Sequence, residues 1–211
     1  MIGMHHFSRF VAVAAILAAT VSCGKVVRTG RGPSFLVIDA LQGMRGATQL
    51  GPPTSPLTSD VVTNVISPAP CTTAAPCPTV FGDVGQAVMR VVLKDAGSAN
   101  PTAATPINDI TLTRYRVVYT RADGRNTAGV DVPHPFDGAM TVTVSTTATL
   151  VPFSLVRVQA KQEPPLVLLL NPLNGIITEF AEVTFYGTDQ AGNAVSVSGT
   201  IQINFGNFGD L

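Results

Sequence analysis

A two-residue alternation of apolar and polar side chains recurs along the chain, and it is clearest near the C-terminus. In AVSVSGTIQINF, residues 194–205, valine, isoleucine and phenylalanine alternate with serine, threonine, glutamine and asparagine. A period of two places these classes on opposite faces of a strand, so one face is buried and the other is solvated. The pattern recurs in shorter form in residues 86–95, 107–126, 138–150 and 151–162.

The remaining segments agree with a chain built from strands. Residues 33–43 form a continuous apolar run that predicts a first buried strand, and residues 179–189 predict the partner of the C-terminal strand. LVLLLNPLNG, residues 166–175, fits either a buried strand or one helical turn. Roughly eight to ten strand segments separated by turn residues predict an all-β fold, either two packed sheets or a barrel.

Composition excludes one class of partner. The 13 Lys and Arg residues balance the 13 Asp and Glu residues, and charged residues make up only 12% of the chain. Nucleic-acid-binding proteins carry a basic excess, which is missing from this sequence. We therefore expect no nucleic-acid partner.

The N-terminus has the layout of an export signal. Arg9 precedes FVAVAAILAATV, a run of twelve uncharged residues that is too short to span a bilayer comfortably. A positive start, a short apolar centre and small residues before a cut are typical of a signal peptide that is removed from the mature protein. We assign residues 1–22 to it. Cleavage near Ala18 or Ala19 and a retained transmembrane helix are the alternatives.

The stretch TVSC, residues 20–23, resembles the lipobox of bacterial lipoproteins. The resemblance implies cleavage before Cys23, acylation of that cysteine with chains such as palmitate, and attachment to the cell envelope. Gly24 stands where many inner-membrane lipoproteins carry Asp, so the resemblance favours the outer membrane. Two or more acyl chains hold a protein on a membrane in effect permanently. Without lipidation, Cys23 would remain as a thiol.

The mature chain then divides into three parts. Residues 23–32 are short, basic and Gly-containing, which suits a lipidated tether. Residues 33–211 form the predicted β domain, and a Pro-rich loop region lies at about 44–84 within it.

Cys71 and Cys77 lie in PAPCTTAAPCPT and are predicted to form a disulfide after export. The alternative is a metal pair. Zinc sites use four ligands, whereas the mature chain offers these two cysteines and His134. We predict neither a metal nor a cofactor.

VTFYGTDQAGNAVSVSGTIQINF, residues 183–205, resembles the final hairpin of bacterial immunoglobulin-like or fibronectin-type-III-like domains, in which a D-x-x-G-N turn joins two strands. The resemblance implies an Ig-like antiparallel β-sandwich outside the cytoplasm with an interaction or spacer role. It carries over no catalytic residue.

Three weaker patterns suggest chemistry. His134, between two prolines, could act with Asp131 or Asp137 in a hydrolase, or be a packed loop histidine. Calcium takes oxygen ligands from loops, but the sequence contains no calcium-loop motif; the candidate aspartates are Asp123, Asp131, Asp137 and Asp189.

An arginine and tyrosine patch is the third pattern. It could bind an anionic glycan or a lipid headgroup, or be a solvated strand face. Its members are Arg114, Tyr115, Arg116, Tyr119 and Arg121.

These observations favour a surface-anchored, non-enzymatic Ig-like lipoprotein that acts as an interaction or structural module of the envelope, with the membrane and a protein of the envelope as candidate partners. The alternatives are a module that binds carbohydrate or another small ligand, and a hydrolase that uses His134.

Overall fold

A computed structural model describes residues 34–94 and 105–208. The predicted signal peptide, Cys23 and the tether lie outside these residues. The described residues are mostly β, and they form ten strands: β1 Ser34–Met44, β2 Leu57–Asp60, β3 Thr63–Val65, β4 Cys77–Thr79, β5 Asp83–Leu93, β6 Ile110–Thr120, β7 Phe136–Val144, β8 Thr149–Val156, β9 Ile177–Asp189 and β10 Ala194–Gly206.

Helical structure in the described residues is short. One α-helix, α1, spans Val158–Gln162, and 3-10 helices span Pro106–Asn108, Leu166–Leu170 and Pro172–Asn174. Within the described ranges, no helix has the length and apolarity needed to cross a membrane.

The first sheet has three strands in the order β1-β5-β8, all antiparallel. Its central strand, β5, buries Ala87, Met89 and Val91, as the alternation predicts, while Arg90 between them is exposed. Strands β1 and β8 flank β5, so the three strands share one apolar face.

The second sheet has five strands in the order β2-β10-β9-β6-β7. The predicted C-terminal hairpin is confirmed, since β9 and β10 pair over their whole length. Asp189 Oδ1 accepts the backbone N–H groups of Ala191 and Asn193 in the turn, and Gly192 has a φ of 80°. The other pairs in this sheet are antiparallel except β2 with β10, which is parallel.

Aromatic side chains join the two sheets. The rings of Phe153 on β8 and Phe185 on β9 meet edge to face with centroids 5.2 Å apart, and Tyr115 on β6 lies 5.5 Å from Phe153. The Tyr119 hydroxyl donates to the backbone oxygen of Leu155, 2.6 Å away across the interface. The core is therefore the layer between the two sheets, and the all-β prediction is confirmed.

A bulge changes the phase of β6. Its register shifts across Thr113 against both neighbouring strands. Ile110 and Leu112 are buried before the bulge, and Tyr115 and Val117 after it. The bulge keeps apolar residues on the inner face although their spacing in the sequence changes from even to odd positions.

The segment 151–162 is not strand throughout, although its alternation predicts one. β8 continues through Pro152, which pairs with Gln86 without a register shift, and proline is tolerated there because β8 is an edge strand of its sheet. The chain leaves the sheet after Val156, and residues 158–162 form α1. In the ambiguous leucine run, residues 166–170 are helical rather than extended.

Residues 44–84 contain β2, β3 and β4 as well as loops. The predicted disulfide is present between Cys71 and Cys77, whose Cα atoms are 5.3 Å apart. It joins the β3–β4 connection to the first residue of β4, and Cys77 pairs with Val65 on β3. The bond thus closes a small two-stranded unit beside the main sheets.

The packing of Phe153 generates a prediction. A methyl group at Gly85 would overlap the Phe153 ring, so Gly85→Ala must displace an aromatic side chain of the core. We expect the free energy of unfolding to fall by about 1 to 3 kcal/mol. Gly51→Ala is the control, because nothing lies within 4 Å of the added carbon there; it should change stability by less than about 0.5 kcal/mol in urea denaturation. Equal effects of the two variants would contradict this packing.

Candidate functional site at the tip of the sheets

Strand β1 defines the two ends of the molecule. β1 begins at Ser34, which pairs with Leu93 and whose hydroxyl donates to the backbone oxygen of Asn108 at 3.2 Å. We call this the proximal end. β1 finishes at the opposite end, the tip, where Met44 pairs with Val84. Eleven residues of strand separate the two ends by about 35 Å.

Large apolar side chains are exposed at the tip. Leu173, in the 3-10 helix Pro172–Asn174, is 90% exposed, and Leu168, Leu170 and Ile176 are about half exposed. We call the set the tip cluster: Val130, Leu168, Leu170, Leu173 and Ile176. Val130, Leu168 and Ile176 of this set lie together on the wall of one cavity, and contiguous exposed apolar patches mark sites of interaction.

The 3-10 geometry explains why the leucines point outwards. Side chains three residues apart eclipse in a 3-10 helix, so Leu166 and Leu169 are both buried while Leu168 is exposed. The side-chain amide of Asn174 donates to the backbone oxygen of Leu168 at 2.6 Å. These contacts fix a turn in which a leucine-rich sequence supplies both a core anchor and an apolar surface.

A cavity of about 380 Å³ lies beside the tip cluster. Its wall is mixed, with aliphatic side chains beside two guanidinium groups, a carboxylate and an amide. Its lining residues are Arg121, Arg125, Val130, Asp131, Pro165, Leu168, Leu169, Asn174, Ile176 and Ile177.

The two guanidinium groups share one carboxylate. Arg121 Nη2 donates to Asp123 Oδ2 at 2.7 Å, and Arg125 donates to the same oxygen through Nε and Nη2 at 3.0 and 2.9 Å. The side-chain and backbone hydrogen bonds from Arg125, followed by those of Arg121, lower the pKa of Asp123 to about 2. The carboxylate therefore stays ionised above that pH.

A carboxyl group is buried behind the cavity. Glu179 lies on the inner face of β9 in the same row as Ile177, which lines the cavity, and it is fully buried. Neither of its carboxyl oxygens meets a donor among the described residues. Burial raises the pKa of Glu179 to about 8, and the charge of Arg121 opposes this rise. Glu179 is thus mainly protonated at neutral pH.

A buried ion pair holds the segment that leads to the tip. Lys161 Nζ, on α1, lies 2.8 Å from Asp83 Oδ1 at the start of β5, and both side chains are fully buried. The ammonium also donates to the backbone oxygen of Asp60 at 2.7 Å. The Asp83 carboxylate accepts two further hydrogen bonds, from Gly46 N–H at 2.8 Å and from the Ser59 hydroxyl. This buried charge is therefore paired and hydrogen-bonded.

The histidine constellation is not assembled. His134 is exposed, and no hydrogen bond joins it to Asp131 or Asp137 in the described structure. Asp131 Oδ2 accepts the Thr127 N–H at 3.2 Å, and Asp137 pairs with two arginines of β6.

The candidate calcium ligands are also dispersed. Asp189 lies at the proximal end, where it caps the β9–β10 turn, whereas Asp123 and Asp131 belong to the loop at the tip. Across residues 34–94 and 105–208, no three His, Cys, Asp or Glu side chains are grouped so that they could hold a metal ion.

The arginine and tyrosine patch is divided between two faces of β6. Tyr115 and Tyr119 are buried on the inner face, and Arg114 and Arg116 are exposed on the outer face. Burial, followed by the charges of nearby carboxyl groups, raises the pKa of Tyr119. The tyrosines therefore cannot join the arginines in binding a surface ligand.

The outer-face arginines have partners of their own. Arg114 and Arg116 pair with Asp137 at 3.2 and 3.0 Å, and the Arg114 guanidinium stacks 3.7 Å from the ring centroid of Tyr186. This geometry agrees with the interpretation of the patch as a solvated strand face.

Several residues of the tip lie outside the sequence predictions. The sequence could have revealed Glu179, because this acid occupies an apolar position in the alternation of Ala181, Val183 and Phe185. It could not have revealed the pair of Lys161 and Asp83, since 78 residues separate them and both flank ordinary strand patterns.

The chain matches no protein-family model, and no curated protein is significantly similar to it.

The ion pair generates a second prediction. Lys161→Met leaves the Asp83 carboxylate buried without its counter-charge, so we expect the free energy of unfolding to fall by about 3 to 5 kcal/mol. Arg90→Met is the matched control, because Arg90 pairs with Asp39 at 2.9 Å in an exposed position. It should cost less than about 1 kcal/mol. Comparable losses in urea denaturation would disprove the importance of the buried pair.

Glu179 generates a third prediction. Its pKa is about 8 in the folded state against an ordinary value of 4.5, so the folded state retains a proton that the unfolded state releases between these values. The stability of the wild type should therefore fall, relative to that of Glu179→Gln, as pH rises from 4.5 to 8. The relative loss is up to about 5 kcal/mol, after which it levels off.

Chemical denaturation at pH 4, 6, 7 and 9 measures this difference. Glu182→Gln is the control, since Glu182 is exposed on the same strand. A difference between wild type and Glu179→Gln that is constant with pH would refute the assignment of a protonated Glu179.

Proposed function

We propose that the chain is a lipid-anchored, non-enzymatic Ig-like protein of the bacterial envelope that binds a partner protein through its tip cluster. The observation that carries the proposal is the placement of the cluster. Leu168, Leu170, Leu173 and Ile176 are exposed at the end of the sheets opposite to the start of β1. A surface of this kind at the end remote from an attachment point suits recognition rather than anchoring.

Strand order supports the Ig-like part of the proposal. Immunoglobulin sandwiches place strands A, B and E on one sheet and C, F and G on the other. With β1, β5 and β8 as A, B and E, and β6, β9 and β10 as C, F and G, the chain follows that order. β7 lies beside β6, as strand C′ does in variable-type domains. No strand D pairs with β8 in the described ranges.

The anchor is proposed at Cys23, through its lipobox-like context. Residues 24–33 separate Cys23 from β1, and ten extended residues reach at most about 33 Å. Since β1 begins at the proximal end, the tether joins the domain there, and the tip is directed away from the membrane. An outer-membrane destination agrees with Gly24.

One observation supports the alternative of a small-ligand module. The cavity at the tip has a volume within the range of ligand sites, and its wall combines aliphatic side chains with charged and polar groups. A carbohydrate would need hydrogen-bonding groups and flat aromatic surfaces, yet no aromatic residue lines this cavity.

The anchor is tested by the intact mass of protein extracted from membranes, before and after reduction. We expect a chain that begins at Cys23 and carries a diacylglyceryl group, with a gain of about two daltons on reduction of the Cys71–Cys77 bond. Cys23→Ser should lose the lipid mass. An unlipidated chain cut near Ala19 would overturn the anchor.

Partner binding at the tip is tested by photo-crosslinking in intact cells. A photoreactive residue at Leu173 should give a discrete protein adduct, because this side chain is the most exposed of the tip cluster. The matched control is the same residue at Thr141, which is exposed on edge strand β7. Adducts from position 141 alone would place the interaction elsewhere.

A further inference from the structure

The cavity at the tip has an apolar side and a charged side. Leu168, Ile176 and Ile177 contribute aliphatic surface, and Arg125 contributes a guanidinium that is 62% exposed. We propose that this cavity binds a peptide segment of the partner in which an aliphatic or aromatic side chain lies next to a carboxylate. The proposal rests on the proposed function, because it specifies the chemistry of the partner that the tip recognises.

The apolar side accepts one or two side chains. The cavity volume of about 380 Å³ lies at the lower end of the range for bound ligands, which suits a short segment rather than a large molecule. Leu169 is buried and anchors the floor, while Leu168 and Ile176 remain about half exposed at the rim. An incoming apolar group would cover these two side chains and remove their surface from water.

The charged side has hydrogen-bonding capacity left over. Asp123 Oδ2 already accepts three N–H bonds from Arg121 and Arg125. Arg125 Nη1 donates to no acceptor among the residues that the structure describes. Guanidinium groups bind carboxylates in fixed, often bidentate geometry. A carboxylate on the partner would therefore complete the coordination of Arg125.

The remaining polar groups suit a polypeptide backbone. Asp131 and Asn174 lie on the cavity wall between the two sides. Asp131 Oδ2 accepts only a backbone N–H, from Thr127 at 3.2 Å, and a carboxylate accepts several hydrogen bonds. It can thus accept an N–H group from a bound peptide.

A bilayer fits the same surface less well. The cavity is concave, whereas a lipid surface offers no side chain to fill it. The tip also lies about 35 Å from the proximal end, where the tether joins the domain. A peptide is therefore the occupant that the geometry favours.

Selection of displayed peptides tests the proposal. A library of random 12-residue peptides on phage is selected against the purified full chain in detergent, and the enriched sequences are synthesised. We expect them to carry Asp or Glu within about three residues of an aliphatic or aromatic residue. A failure to enrich any sequence, or enriched sequences without an acidic residue, would overturn the proposal.

Matched variants locate the binding of these synthetic peptides. Arg125→Gln and Leu168→Asp should each weaken it at least tenfold in fluorescence anisotropy. Arg116→Gln and Leu150→Asp, which alter a similarly exposed arginine and leucine outside the tip, should change it less than twofold. Circular dichroism is used to verify that all four variants are folded before their binding is compared. Equal binding of the peptides to Arg125→Gln and to the wild type would show that the Arg125 guanidinium does not bind them.

Two further results separate the proposals. Flotation with vesicles of phosphatidylethanolamine and phosphatidylglycerol that depends on Arg125 and Leu168 but not on Cys23 would overturn the peptide in favour of a lipid surface. If Leu173 gives protein adducts in cells while no peptide binds, the proposed function stands and the chemistry assigned to the cavity is wrong. Adducts from Thr141 alone would reject both.

Discussion

The buried pair of Lys161 and Asp83 is the interaction on which the tip depends. An ammonium removed from water is tolerated only when it is paired and hydrogen-bonded, and here it binds a carboxylate of β5 and the backbone of Asp60 at the end of β2. The pair thereby fixes α1 against both sheets. The position of the 3-10 helix Leu166–Leu170 depends on this contact, because only four residues separate Lys161 from Leu166. Loss of the pair would thus affect the geometry of the tip as well as stability.

Sequence periodicity was sufficient for the strands because burial in a two-sheet structure depends on local alternation. β5 and β10 could be predicted at nearly their observed limits, and the change of phase in β6 was already visible as apolar residues moving from even to odd positions. The alternation through Pro152 wrongly predicted strand for the whole segment 151–162, whereas the strand ends at Val156. Proline is compatible with an edge strand, and nothing in the local pattern of VRVQAKQ indicates that the chain leaves the sheet.

The tip was less predictable because its components are distant in sequence. Lys161 meets Asp83 across 78 residues, and the cavity joins the loop before β7 to the turn before β9. Only Glu179 could have been noted, as an acid at an apolar position of the alternation. The leucine run was ambiguous for a physical reason: a 3-10 helix with one buried side and a buried strand both require a short apolar sequence.

The distance between the proximal end and the tip is fixed by the strands that connect them. β9 and β10 are continuous antiparallel strands of thirteen residues, so the distance between the two ends is set by hydrogen-bonded backbone that cannot stretch or fold back. For a chain that is held at its N-terminus, only the extension of the tether changes the distance from the attachment point to the tip, because the sheets contribute a constant length. Under the proposed anchoring at Cys23, the strand length would set the distance between the membrane and the tip, and inserting or deleting paired residues in the sheets would change that distance in steps.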